Sequence, residues 1–275
     1  MSTNPTEESR KLWNAIAPGW ERHRAQAFEQ QRGVSERLIK AMDAREGDTI
    51  LELTAGPGET GLLLAEQTPG ARVIISDFAP RMVQAASNAA KARKLTNVEV
   101  RQIDAQSIDL PDQSVQGVMS RYGLMLVPDY KAAFGEIRRV LAPGRSLAYG
   151  VWGPLPANPW MMLFGAVFMQ RGHWAPPEGG AVFPLTTEDE NREVTRMAGF
   201  DNVEIEVMEG PMRFKSVDHY WEVNSNLAGP LAVIAQNLPQ DEIDAMRSLI
   251  DEYSSAFKTD SGVSFPSQSI VVRAS

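Results

Sequence analysis

The chain has no cysteine in its 275 residues, which removes disulfides, thiolate nucleophiles, iron-sulfur clusters and cysteine-bound zinc. Imidazole is almost as scarce: His23, His173 and His219 are the full supply, and no metal site is expected from them. Long apolar runs are missing too. The longest, Trp160 to Met169, is ten residues interrupted by Gly165, too short to span a bilayer. The start, M-S-T-N-P-T-E-E-S-R-K, is acidic and polar and does not look like a secretory signal, so a cytoplasmic protein without membrane insertion is the default expectation. Positive charge is in deficit, with 27 Lys and Arg against 35 Asp and Glu. No basic run is interleaved with aromatics, which argues against nucleic acid as a partner. What remains, 43% hydrophobic and 23% charged, suits a globular protein with one large α/β domain and an elaboration.

The stretch T-I-L-E-L-T-A-G-P-G-E-T-G-L-L-L-A from Thr49 organises the chain. Ile50, Leu51 and Leu53 read as a short buried strand, and Gly56, Gly58 and Gly61 follow in G-x-G-x-x-G spacing before a helix, which is a nucleotide-type site. Glycine there permits close approach of a ligand, and the next helix offers unpaired N-H groups. Upstream, Leu12, Trp13, Ile16 and Trp20 form an apolar pattern that Pro18-Gly19 should break into two helical pieces, the second from about Glu21 to Gln31. A further helix is expected over Ser35 to Ala44. Trp13 and Trp20 either pack between these helices or cover the mouth of the ligand site. Downstream, strand and helix alternate from residue 49 to 152, the rhythm of a mainly parallel sheet with helices on both faces. Ligands in such sheets bind beyond the carboxyl ends of the strands, where Glu52, Asp77, Asp104 and Arg121 all fall. From Gly153 prolines bracket the apolar run, suggesting an insertion, and a lid is expected over 153 to 183 and 211 to 258.

Charge narrows the ligand. Asp77, 21 residues beyond Gly56, suits the hydroxyls of a ribose. Glu52 lies beneath the turn, where a carboxylate would repel a pyrophosphate and suit an ammonium. A ligand with a ribose at one end and an amino acid at the other fits this pattern better than a dinucleotide.

At this point the chain resembles class I S-adenosylmethionine-dependent methyltransferases, especially the small-molecule group containing quinone-biosynthesis enzymes. I-L-E-L-T-A-G-P-G-E-T-G looks like their first motif, with Glu52 as its acid and Gly56 and Gly58 as its later glycines. S-D-F-A-P-R-M-V-Q-A-A looks like the second-strand motif, with Asp77 on the ribose and Phe78 and Met82 flanking the adenosine. Q-I-D-A-Q-S-I-D-L-P-D-Q-S-V matches the segment where Asp104 meets the adenine amino group and Ala105 contributes backbone. S-R-Y-G-L-M-L-V-P-D puts Arg121 and Tyr122 where the fourth strand meets cofactor and acceptor, and R-R-V-L-A-P-G-R-S-L-A matches the turn before strand five. Two positions depart. Thr54 stands where the first motif often has glycine, and could hydrogen-bond the cofactor's carboxylate; Gln116 replaces an acid often found in the fourth motif.

The resemblance implies a Rossmann-like class I methyltransferase fold: a mainly parallel seven-stranded sheet with helices on both faces and a helical cap. It divides the chain into N-terminal helices forming a partial cap (1–45), an S-adenosylmethionine-binding core (46–152), and lid or acceptor-binding insertions with the remaining strands (153–275). The implied reaction is direct displacement at the sulfonium-bound methyl by a small, apolar or aromatic acceptor. Alignment of the attacking atom is then the protein's chief task. An oxygen acceptor would gain from a base, whereas an already ionised phenol or enol needs none. His173 is the first candidate base, His23 another, and Tyr122 is placed to orient the acceptor. Trp160 to Met169 has an alternative use as a homodimer contact. Two other functions stay open: an NAD-dependent oxidoreductase, which the bare glycine pattern and Asp77 would also serve, and a non-catalytic protein that binds S-adenosylmethionine or S-adenosylhomocysteine.

Overall fold

A computed structural model of the chain describes residues 4–176 and 183–275. The core begins with β1 (Thr49–Glu52), α3 (Glu59–Gln67), β2 (Arg72–Asp77), α4 (Pro80–Ala92), β3 (Val98–Gln102), β4 (Val115–Arg121), α5 (Tyr130–Val140) and β5 (Leu141–Trp152), preceded by α1 (Pro5–Gln30) and α2 (Arg32–Met42). After β5 come α6 (Pro159–Gln170), α7 (Glu188–Met197), β6 (Val203–Phe214), α8 (Val217–Leu227), α9 (Pro230–Ala235), α10 (Gln240–Tyr253), the two-residue β7 (Lys258–Thr259) and β8 (Gly262–Ala274).

The sheet order is β3-β2-β1-β4-β5-β8-β6, with β7 as an eighth strand paired to β8 alone. The first five strands run parallel and β8 pairs antiparallel to both β5 and β6. Side-chain alternation along the strands decides which face each residue serves. Leu51, Leu53 and Ile74 join one buried cluster with Phe134 and Ile137 of α5 and Val194 of α7. Ile50, Val73 and Ile75 point to the other face and pack with α2, α3 and α4 through Leu38, Leu62 and Ala86. Glu52 alternates with Leu51 and Leu53, so it belongs to the Ile50 face and is pressed under α3.

Pro18 does not break the first helix: α1 is continuous from Pro5 to Gln30, where a turn was expected. A proline costs one intrahelical hydrogen bond. Tertiary packing offsets it, since Gly19 lies so close to α8 that a Cβ there would sit 2.6 Å from the Asn226 carbonyl oxygen. Similarly α2 starts at Arg32 rather than Ser35 and stops at Met42, followed by Asp43 in the left-handed region at φ 43°. The segment after β5 has a core of its own, in which Phe164 and Phe168 of α6 meet Tyr220 and Trp221 of α8, Met246 of α10, and Phe214 and Phe265 from the far ends of β6 and β8. The apolar α6 is therefore mostly consumed within the chain, although Met162 and Met169 stay exposed at 45% each. Residues 177–182 of the expected insertion lie outside the described residues. No described helix is long and apolar enough to cross a membrane.

Candidate functional site

Two bends in the backbone make room above the strand ends. Gly56 and Gly58 adopt φ of 56° and 83°, the left-handed region glycine enters without strain, and Gly58 caps α3. Gly61, within the first turns of α3, donates its N-H to Glu52 Oε2 at 2.9 Å. A Cβ on Gly61 would collide with that carboxylate oxygen and with Ile75, so the third glycine of the motif is a seat for Glu52. Glu52 is 2% exposed, and burial pushes its carboxyl up to about 8, against the opposing pull of Arg121 and the Gly61 N-H. Among the described residues Oε1 of Glu52 has no hydrogen-bond partner.

Asp77 closes β2. It accepts from Gly56 N at 2.9 Å through Oδ2 and from Ala79 N at 2.9 Å through Oδ1, which ties the glycine turn to the start of α4. Burial raises it to about 6, again opposed by these backbone donors. Asp104 accepts from Gln106 N at 2.9 Å, and Gln106 reaches Thr6 of α1 at 3.2 Å and the Asp129 N-H at 2.9 Å, so α1 is stitched to the loop that carries Asp104.

These groups border one cavity, enclosing about 980 Å³ with the solvent at its mouth included. Its wall contains nine of the ten residues singled out as cofactor-binding: Glu52, Thr54, Gly56, Asp77, Phe78, Met82, Asp104, Ala105 and Arg121 line it, whereas Gly58 does not, although its neighbour Pro57 does. Trp13, Trp20, Arg24 and Ala27 close it from α1, at seven-, four- and three-residue intervals along one helical face. Both tryptophans also pack against Ala79 and Met82, so packing and covering are one role here.

The histidines are not brought to this cavity. His173 hydrogen-bonds Glu242 at 3.1 Å between the end of α6 and α10, with Arg171 on the same carboxylate. His23 is buried between α1 and α8, its Nε2 3.9 Å from Glu222, and desolvation holds its ring below the ordinary histidine range. His219 binds Gln26 at 3.1 Å and is lowered by burial as well. The sequence contained no sign of this, because each ring is placed by packing between helices far apart in the chain. Tyr122 does line the cavity, yet its hydroxyl donates to Gln31 at 2.7 Å and meets Ser269 at 2.8 Å, and burial pushes it well above the usual tyrosine range. It is a fixed, neutral wall, stacked on Trp152 with ring centroids 4.0 Å apart.

Two backbone strains flank the cavity. Thr54 and Tyr122 have φ of 53° and 56°, uncommon for a β-branched or bulky residue. Thr54 is held by its hydroxyl, 2.5 Å from Leu53 O and 2.7 Å from Ser120 Oγ. Its side chain occupies the space that Gly123 leaves, since a Cβ on Gly123 would overlap Thr54 Oγ1. Gln116, the other departure, accepts from Thr49 N at 2.9 Å and serves the sheet.

A family profile described as a methyltransferase domain matches residues 50–144. The fold is that of a putative methyltransferase from Bacillus halodurans, with a TM-score of 0.61 over 87% of this chain and 97% of that one at 17% identity. The chain has the Rossmann-like fold of class I methyltransferases, a central sheet with helices on both faces. Among relatives of this methyltransferase-fold chain, a demethylmenaquinone methyltransferase of Thermus thermophilus is 38% identical over 122 residues, 44% of this chain. The matched region spans 54% of the Thermus protein, about half its length. A demethylmenaquinone methyltransferase of Staphylococcus carnosus is 25% identical over 226 residues, 76% of this chain and 92% of that one. Sequence reasoning missed Arg24 and Ala27 as lining residues of the cavity, and Gln31 and Ser269 as the groups that hold the Tyr122 hydroxyl. Only the Trp13, Trp20, Arg24, Ala27 spacing was there to find.

Proposed function

We propose that the protein binds S-adenosylmethionine in this cavity and transfers its methyl group to an apolar or aromatic small molecule. The observation that carries the reading is Glu52: a carboxylate buried under the glycine turn, held on one oxygen by Gly61 N-H and with the other unpartnered among the described residues. Burying a carboxyl is costly unless something pairs with it. An ammonium is the partner that repays that cost, and a pyrophosphate is the one it repels, which counts against an oxidoreductase that binds a dinucleotide. Asp77 is suited to the ribose hydroxyls, Asp104 and the Ala105 backbone to the adenine, and Phe78 and Met82 to its faces. The methionine sulfonium is itself an activated methyl donor, so when bound the cofactor supplies the leaving group.

What is left to the chain is to orient and to exclude water. The α1 tryptophans and the Tyr122 ring, backed by Trp152 stacked on it, furnish apolar walls in which a planar acceptor can be aligned. An acceptor aligned by these walls would take the methyl group and give up one proton to solvent. The names of the relatives suggest a quinol-like ring as acceptor. The test is calorimetry with S-adenosylmethionine and S-adenosylhomocysteine, followed by incubation of aromatic metabolite pools with isotopically labelled cofactor. Methylated product is the expected result, and absence of binding to either nucleoside refutes the reading.

A further inference from the structure

Pro18 divides α1 into two halves held by different partners. Lacking an N-H, it leaves the Asn14 carbonyl without its intrahelical donor, so the helix bends most easily there. The first half is fastened to the core: Gln106 Nε2 donates to the Thr6 hydroxyl at 3.2 Å, and the Asn14 side chain accepts from Arg81 N at 3.0 Å. The second half carries Trp20, Arg24 and Ala27 into the cavity wall, where Arg24 pairs with Glu59, and it lies along α8 on its neighbouring face. Gly19, Arg22, His23 and Gln26, at three- and four-residue steps, form that seam. Gly19 is pressed on Asn226, Arg22 Nη1 reaches Asn226 Oδ1 at 3.4 Å, His23 Nε2 stands 3.9 Å from Glu222, and Gln26 meets His219.

This seam closes around neutral imidazoles. The Lys215 N-H donates to His219 Nδ1 at 3.1 Å, so the proton of the neutral ring sits on Nε2, which donates to Gln26 Oε1 at 3.1 Å. A second proton has to go on Nδ1, where it would face the Lys215 N-H and break that bond. It would also place positive charge in the first turn of α8, at the positive end of the helix dipole. His23 is 7% exposed and its Nε2 has no hydrogen-bond partner among the described residues, so a charge there is desolvated. Burial is the main influence on both rings and holds them below the ordinary 6.5. Among the charged groups around them, Glu222 of α8 favours protonation, whereas Arg22 of α1 opposes it at His23, and Lys215 and His23 oppose it at His219. Phe214 at the end of β6, edge-on to His219, and α9 against α1 bring no charge.

We propose that His219 and His23 form a proton-sensitive latch: with both rings neutral, α8 holds the second half of α1 over the cavity, and proton uptake releases that half at Pro18 and opens the cavity. The inference rests on the methyl-transfer reading for what the cavity holds, and goes beyond it by making occupancy depend on pH. Because the closed seam binds fewer protons than the open one, its stability is complete above 6.5 and is lost as pH falls below that value. By reciprocity, a ligand that needs the closed wall makes both rings harder to protonate.

Backbone hydrogen exchange of the full-length, ligand-free protein, corrected for its intrinsic pH dependence, tests the latch first. Between about pH 7.5 and about pH 5.5, peptides from 19–30 and 215–226 should lose roughly tenfold in protection while β1, β4 and β5 keep theirs. The double variant His23→Gln, His219→Gln should show no such local loss. Calorimetry then follows S-adenosylhomocysteine over the same interval. Wild-type affinity should fall about tenfold more than that of the double variant, the titration of Asp77 being common to both. Protection of 19–30 that does not change with pH, or affinities that fall in parallel, would overturn the proposal. So would protection lost equally from every element, which reports global unfolding. If the double variant does not fold, exchange in the wild type decides. A wild type that binds no S-adenosylhomocysteine at about pH 7.5 sinks the methyltransferase reading, a separate result, since the latch itself is read without ligand.

Discussion

Replacing Glu52 by glutamine should stabilise the empty protein in mild alkali and cripple it as a binder. A carboxyl that ordinarily titrates near 4.5, raised by burial to about 8, keeps its proton in the folded state after the unfolded chain has lost it. The folded state then binds more protons than the unfolded one, so stability falls as pH rises, by about 1.4 kcal/mol per pH unit between those two values. Below the lower value the full contribution is retained, and above the higher one the loss is complete. Asp77 has the same sign, but its window lies between 3.8 and about 6, so measurement above pH 6.5 leaves it out; His23 and His219, lowered by burial, add a slope of opposite sign near pH 6.5 that wild type and variant share, so the difference between the two proteins reads Glu52. Between pH 6.5 and 8 the wild type should lose on the order of 2 kcal/mol that Glu52→Gln does not lose, because the amide stays neutral and its oxygen can still accept from Gly61 N-H. Urea unfolding at a series of pH values reads the difference directly. Saturating S-adenosylhomocysteine should flatten the wild-type slope, since a bound ammonium stabilises the ionised carboxyl, and should do little for the variant. Parallel slopes in the two proteins, or undiminished affinity in Glu52→Gln, would refute the reasoning.

Three further substitutions probe separate links. Gly123→Ala should cost about 1–3 kcal/mol of stability by driving a methyl into Thr54, and Thr54→Gly should restore most of it in the double variant, a coupling that a thermal-melt cycle measures. Asp77→Asn should weaken S-adenosylhomocysteine by roughly 10- to 100-fold in calorimetry, the worth of hydrogen bonds to a charged group, and should erase the preference for it over an analogue lacking the ribose hydroxyls. His173→Gln should leave the methyl-transfer rate within about twofold of wild type, because the ring is engaged with Glu242 away from the cavity; a hundredfold fall, the least expected from loss of a general base, would return His173 to the chemistry.

The alternation of β and α from Thr49 to Trp152, the glycine turn and the acids at the strand ends were legible because each depends on local chemistry: strand burial, glycine's freedom at positive φ, and the position of a carboxylate relative to a turn. The apolar stripe of α1 was legible as well, but its continuity was not. Pro18 argues for a break on propensity alone, and only contact with α8 makes an unbroken helix the better state. Gly61 is similar. As a sequence symbol it completes a nucleotide pattern; in the fold it is the space occupied by the Glu52 carboxylate.

The sequence by itself therefore determined the layered fold, the strand-end acids and the kind of ligand they suit, all properties of short segments whose periodicity and spacing survive without neighbours. Tertiary structure alone decided which titratable groups meet. It kept His23, His173 and His219 out of the cavity, raised Glu52 and Asp77 by burial, locked Tyr122 between Gln31 and Ser269, and left Arg121 Nη1 without a hydrogen-bond partner among the described residues. Desolvation and pairing depend on surroundings drawn from helices that lie far apart along the chain, and no local pattern encodes them.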